Sequence, residues 1–245
     1  MVDAVSELIS AASRLRDGSQ SIARRMMSEG VADLVYNPLN YAWDVHEEFI
    51  RRTGGNGAKC ILLGMNPGPH GMGQMGIPFA ATSVVRDLIR ISGIAVAKPE
   101  VSHPKRPVNG LEHPTEEVSG TRLWGVLEHR YGGIDKISKE VYIVNHCPLM
   151  ILNGERGTNV TPNNISGQAV DDLMDICDQH LRDAVDALGA RKVVGIGKYA
   201  EERAVSALHG YGLSIETCWH PSPASPLANR NGGADWRANI RAVLP

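Results

Sequence analysis

KCILLGMNPGP, Lys59 to Pro69, is a short apolar run that ends at Gly64 and gives way at once to a loop stiffened by two prolines. A continuous apolar run lacks the alternation of a half-exposed strand. It reads as a strand buried on both faces, the habit of parallel sheets. EVYIVN at Glu140–Asn145 reads as a second buried strand, and RKVVG at Arg191–Gly195 and LSIETCW at Leu213–Trp219 read as a third and a fourth. Helical spacing fills the intervals, at Ser83–Ile91, Arg122–His129, about Ser166 to Leu188, Lys198–Leu208 and Ala234–Val243. Thr161-Pro162 reads as a helix start, with Thr as N-cap and Pro at the first helical position. Val5–Met27 also has helical spacing, with a break expected near Gly18, and Pro99–Val118 reads as an ordered loop. The alternation predicts an α/β fold: three layers, α/β/α, around a central, mostly parallel four-stranded sheet.

Each strand runs into polar sequence punctuated by Gly or Pro. The segments are Met65-Asn66-Pro67-Gly68-Pro69, Asn145-His146-Cys147-Pro148, Gly195-Ile196-Gly197-Lys198 and His220-Pro221-Ser222-Pro223. Parallel sheets bind ligands outside the carboxyl ends of their strands. The four segments are therefore expected to meet at one edge of the sheet.

Composition narrows the class. The 245 residues, 42% of them hydrophobic, fit one ordinary domain, with residues 1–43 as a helical extension packed on it. No apolar run approaches the roughly 18 residues that span a bilayer. Met1–Met27 mixes charges with its apolar residues, unlike a signal peptide or anchor, so a cytoplasmic protein is expected. Cys60, Cys147, Cys177 and Cys218 are widely spaced and form no C-x-x-C pair; they read as buried thiols, and neither a metal nor a cofactor is expected. A net charge of -2 exerts no overall pull on nucleic acid, so a DNA-binding role needs a local basic face.

The loops hold residues able to do chemistry. Prolines fix φ and glycines admit a ligand close to the backbone, so GMNPGPHGMGQMGIPF (Gly64–Phe79) can hold Asn66 at a set angle. An amide can position a water, though it is a poor base; alone, Asn66 could equally brace the turn. His220, at a strand end, can donate to an oxygen that becomes negative, although a single histidine more often packs as a loop residue. The amide of Asn145 suits the edge of a nucleobase, or simply caps its strand. Gly195–Ala200 resembles the dinucleotide fingerprint G-x-G-x-x-A, but no acidic residue closes the next strand, and a tight strand–helix turn explains it better. Lys105, Arg106, Arg122, Arg230, Arg237 and Arg241 flank the loops and could serve phosphates, or be scattered surface charge.

Taken together, GMNPGPHGMGQMGIPF, HPKRPVNGLEHPTEEVSGTRLWG (His103–Gly125), VNHCPL (Val144–Leu149) and HPSPASPLAN (His220–Asn229) resemble the uracil-DNA glycosylase superfamily, and within it the single-strand-selective monofunctional (SMUG) family. The resemblance covers roughly residues 44–244. It implies a monofunctional glycosylase of base excision repair, acting on DNA that contains uracil or a 5-substituted uracil such as 5-hydroxymethyluracil; a monomer is expected because every motif the pocket needs lies in this one chain. It implies that Asn66 positions the attacking water and that His220 meets negative charge on the uracil O2. Met65 would offer its backbone N–H, Phe79 would stack on the flipped base, and Asn145 would read its edge. Gly68 would leave room for a 5-substituent. From their residue types and their place beside the loops, Lys105, Arg106, Ser222 and Arg230 are expected to contact DNA.

The chain departs from the family pattern at Ala224, where a basic residue is familiar, at His70, where an aromatic is familiar, and in the Gly-rich segment Asn229–Trp236. The motif loops hold no obvious carboxylate pair, so the two-acid scheme of sugar glycosidases does not apply. They hold no activated lysine either, so no strand-cleaving lyase step is expected. The alternatives are a glycosylase for deaminated purines, a non-catalytic binder of damaged DNA, and a nucleotide-binding enzyme.

Overall fold

A computed structural model describes residues 3–245. In chain order the elements are α1 (Ala4–Ser28), β1 (Leu34–Tyr36), α2 (Pro38–Tyr41), α3 (Trp43–Thr53), β2 (Cys60–Gly64), α4 (Met72–Met75), α5 (Val118–Tyr131), α6 (Ile134–Glu140), β3 (Val141–Asn145), β4 (Met150–Asn153) and β5 (Thr158–Val160). They continue with α7 (Gln168–Leu188), β6 (Lys192–Ile196), α8 (Lys198–Ala207), β7 (Ser214–Cys218), α9 (Pro226–Asn229) and α10 (Ala234–Val243).

The central sheet has the order β3-β2-β6-β7 and every pairing in it is parallel. This is the expected three-layer α/β fold, and the four predicted strands are the four observed. β2 and β3 are buried along their whole length, which is why their sequences do not alternate. From β2 the chain steps outward to β3 and then crosses back past β2 to β6, so the strand order reverses at the middle of the sheet. That places a crevice at the carboxyl ends of the middle strands. α5 packs on α6 and α7 on α8, the grouping on opposite faces that right-handed crossovers in this strand order require. Gly195 lets α8 approach β6 closely: a Cβ there would lie 2.4 Å from the Glu201 backbone N. The G-x-G turn thus serves helix–strand packing.

α1 lies along α7. Leu15, Ile22, Ala23 and Met26 pack with Ala169, Val170, Leu173 and Cys177, and Arg14–Asp183 and Arg25–Asp172 pair at the rim. Asp3 caps α1 by accepting from the Ser6 N–H at 2.9 Å. No break occurs at Gly18, contrary to expectation: a Cβ there would sit 3.3 Å from Ile176 Cδ1, so the glycine admits α7 and the helix runs through it.

Three other expectations need correction. Thr161-Pro162 opens only a short 3-10 turn, Pro162–Asn164; the chain then extends through Ile165, and α7 begins at Gln168 after Gly167. Ser83–Ile91 is helical, but its core, Val84–Ile89, is wound as a π-helix. Arg122–His129 is the interior of the longer α5. A second sheet, antiparallel with order β1-β4-β5, was not anticipated. No helix among the described residues is long and apolar enough to cross a membrane.

Candidate active site

Outside the carboxyl ends of the central strands lies a cleft of about 280 Å³. Its walls bring together Met65, Asn66 and Gly68 from the loop after β2, Phe79, Asn145 at the end of β3, and His220 and Ser222 after β7. Glu117, Ser119 and Asn159 complete it. Backbone bonds lock the loops to one another: His146 N–H donates to Gly64 O at 3.0 Å, Cys147 N–H to Met65 O at 2.8 Å, and Gly197 N–H to Cys218 O at 2.8 Å. Immediately after β3 the His146 imidazole is buried between the Tyr199 hydroxyl (2.9 Å) and Asp178 (2.8 Å), and Arg203 also pairs with Asp178. This network anchors the strand end that carries Asn145.

Gly64 has a specific steric reason. A Cβ there would fall 2.1 Å from Asn145 Oδ1 and 2.5 Å from the Phe79 ring, so only glycine lets both converge. Asn145 is buried, and its Nδ2 finds only the Met72 thioether, at 3.2 Å. Sulfur is a weak acceptor, and among the described residues no protein donor serves Oδ1. The amide therefore keeps its hydrogen-bonding capacity for a ligand. Phe79 holds φ at 52°, in the left-handed region that a bulky residue adopts only under constraint. The constraint is visible: at Gly120 in the first turn of α5, a Cβ would lie 2.2 Å from Phe79 O. The Phe79 and His220 rings stand 6.0 Å apart and form adjacent walls.

The His220 proton can be placed. Ser222 N–H donates to Nδ1 at 3.1 Å, so Nδ1 is the acceptor and Nε2 carries the hydrogen. Burial holds the imidazole below its ordinary pKa. The ring is thus a neutral donor at neutral pH. Asn66 is oriented too: its Nδ2 donates to Asn159 Oδ1 at 3.4 Å, and Asn159 Nδ2 donates to Pro67 O at 2.9 Å. That leaves Asn66 Oδ1 as an acceptor. Asn159 belongs to β5, and sequence reasoning missed it, as it missed Glu117.

The expected DNA contacts are less concentrated. Lys105 is exposed. Arg106 donates to Gly157 O at 2.8 Å and Arg230 pairs with Asp235 at 3.1 Å, while Ser222 Oγ accepts from Ala224 N–H at 3.2 Å. Arg122 holds the loop after β7 through Pro221 O and Asn229 Oδ1. With His129, Arg237 and Arg241 it lines a second, basic cleft of about 350 Å³ between α5 and α10. Among the described residues no group of His, Cys, Asp and Glu side chains forms a metal cage.

The sequence profile of the uracil DNA glycosylase superfamily matches residues 52–240, which includes every wall of the cleft. The chain belongs to this superfamily. Two relatives are named single-strand selective monofunctional uracil-DNA glycosylases. The Bos taurus protein is 40% identical over 226 residues, covering 91% of this chain and 82% of its own. The Rattus norvegicus protein is 42% identical over 213 residues, covering 86% and 74%. Of solved structures, wild-type Pedobacter heparinus SMUG2 superposes with a TM-score of 0.60 at 18% identity, covering 85% of this chain and 84% of that one; this likeness concerns the fold. The resemblance drawn from the four motifs thus holds, and the molecule is a DNA glycosylase of the single-strand-selective monofunctional branch.

Proposed function

We propose that this glycosylase removes uracil and 5-hydroxymethyluracil from DNA, single- or double-stranded, by hydrolysing the bond between base and sugar and leaving an abasic site. The observation that carries the reading is the convergence of Asn66, Phe79, Asn145 and His220, each held by its own local constraint, on one small cleft. A flipped pyrimidine lies against Phe79 and offers its N3–O4 edge to the free amide of Asn145. The C1′–N1 bond stretches first, and charge moves onto the base. His220, donating from Nε2, meets that charge at O2. Such a donor is typically worth about 2.7–4 kcal/mol of transition-state stabilisation. Water held at Asn66 Oδ1 then adds to C1′ of the oxocarbenium-like sugar and loses a proton, and the uracil anion takes up a proton at its ring nitrogen and leaves as the neutral base. Neutral His220 suits this role, because a donor that needs no proton loss is ready before the bond breaks.

All of these groups come from one chain, so a monomer suffices. Lys105 and the basic cleft of Arg237 and Arg241 would carry the phosphates, which the net charge of the chain does not attract. Flipping costs a few kcal/mol, least in single strands and mispairs, so uracil opposite G should leave faster than uracil opposite A. The test is base release from oligonucleotides containing one uracil, single-stranded and opposite G. Free uracil and an alkali-labile site are expected. Intact uracil oligonucleotides alongside release from xanthine or hypoxanthine would move the substrate to deaminated purines, and binding without any release would make the protein a lesion binder.

A further inference from the structure

A cleft open enough for a 5-hydroxymethyl group is also open enough for the smaller methyl of thymine. Thymine is a normal base of DNA, so size alone cannot protect it, and discrimination has to come from chemistry at the wall facing C5. With the base against Phe79, its N3–O4 edge at Asn145 and O2 at His220, the C5–C6 edge is left over, and Gly68 and Glu117 line the same cleft.

That wall is not empty. A Cβ at Gly68 would lie 2.7 Å from Glu117 Oε2, and one at Gly71 would lie 3.0 Å from Glu117 Cγ. The two glycines form a trough that holds the Glu117 side chain and lets its carboxylate reach the cleft. Oε1 takes a long bond from the Ser119 N–H, at 3.4 Å, at the start of α5. Among the described residues no Lys or Arg pairs with Glu117, and no protein donor reaches Oε2. Burial raises its pKa, a sign that the carboxylate is short of solvent, and this outweighs the lowering effects of Ser119 and His70.

We propose that Glu117 sets specificity at the 5-position: its Oε2 accepts a hydrogen bond from a hydroxyl-bearing substituent and rejects a methyl, which would strip water from the carboxylate and return nothing. The proposal rests on the base pose given above. Sites that hydrogen-bond a substrate group reject the analogue lacking it far more strongly than apolar pockets discriminate by size. Uracil itself, with only hydrogen at C5, leaves room for a water on Oε2.

The experiment is single-turnover release of uracil, 5-hydroxymethyluracil and thymine, each opposite G, by wild type, Glu117→Gln and Glu117→Ala, with thermal midpoints as a check on folding. Expected is a ratio of 5-hydroxymethyluracil to uracil release that falls at least about 10-fold in Glu117→Ala. It should fall less in Glu117→Gln, which keeps an acceptor oxygen, and thymine should be released measurably only by Glu117→Ala. Parallel loss on uracil and 5-hydroxymethyluracil in a folded Glu117→Gln would overturn the proposal and assign the carboxylate to the chemistry itself. Wild type that frees uracil yet treats thymine like 5-hydroxymethyluracil would overturn this proposal alone, whereas wild type that frees no uracil would take the reading of the preceding subsection down with it.

Discussion

Asn66 and His220 divide the chemistry, and each is held by a group on another segment. Asn159 fixes which end of the Asn66 amide faces the cleft, and the Ser222 N–H fixes the His220 tautomer. Asn66→Ala should lose at least about 100-fold in single-turnover base release while keeping its affinity for uracil-containing DNA, measured by fluorescence anisotropy. Wild-type turnover in that variant would remove Asn66 from the mechanism. His220→Ala should cost on the order of 10²–10³ in kcat, the usual loss for one donor to a developing anion. A rise in KM at unchanged kcat would instead make His220 a ground-state contact. The sequence already named both residues, because each follows a strand of the parallel sheet and stands beside a Pro-stiffened turn. It did not name Asn159 or Glu117. Asn159 sits in a three-residue strand too short to show a period, and Glu117 is one acid among several in a polar loop.

Between elements, the decisive contact is α5 against the strained turn at Phe79. Gly120→Ala tests it, because two effects oppose. Alanine in place of glycine stabilises a helix by about 0.8–1.0 kcal/mol. A Cβ 2.2 Å from Phe79 O and 2.9 Å from Ala80 O meets backbone that cannot swing aside, and overpacking costs about 1–3 kcal/mol. The clash should win. The thermal midpoint should fall by several degrees, and base release should weaken as Phe79 is displaced. A raised midpoint with full activity would show that the turn tolerates the shift. At this scale the four central strands and most helices were legible from apolar runs and helical spacing. The β4–β5 hairpin was not, and neither was the true start of α7, because Thr161-Pro162 carries a helix-start signal that the chain spends on a single 3-10 turn.

At the scale of the molecule, buried histidines make stability depend on acid. His46 donates through Nδ1 to Gly76 O at 2.7 Å inside the core, and burial pushes its pKa down to about 4; burial does the same to His180, also to about 4. Both are neutral in the folded state, and in the unfolded chain they titrate near the ordinary histidine value of about 6.5. Above that pH neither state takes up a proton and no penalty exists. As pH falls from about 6.5 towards 4 the unfolded chain binds protons that the folded one refuses, so stability is lost across that window. Urea denaturation at a series of pH values should show the midpoint dropping below pH 6.5, and His46→Gln and His180→Gln together should flatten the slope. A midpoint insensitive to pH between 6.5 and 4 would mean that these rings ionise in place.

The sequence by itself determined the layered α/β fold, the four parallel strands, and the order in which their loops arrive at one edge. Those features are local: hydrophobic period, glycine and proline act within a few residues, and a loop at the carboxyl end of a parallel strand can lie only at that edge. Tertiary structure alone decided the partners. Asn66 is oriented by a side chain 93 positions away, and the space over Gly68 is taken by a carboxylate from the start of α5. Such contacts leave no period in the chain. They follow from how helices and sheets close-pack, and packing joins residues by shape and burial without regard to their distance in sequence.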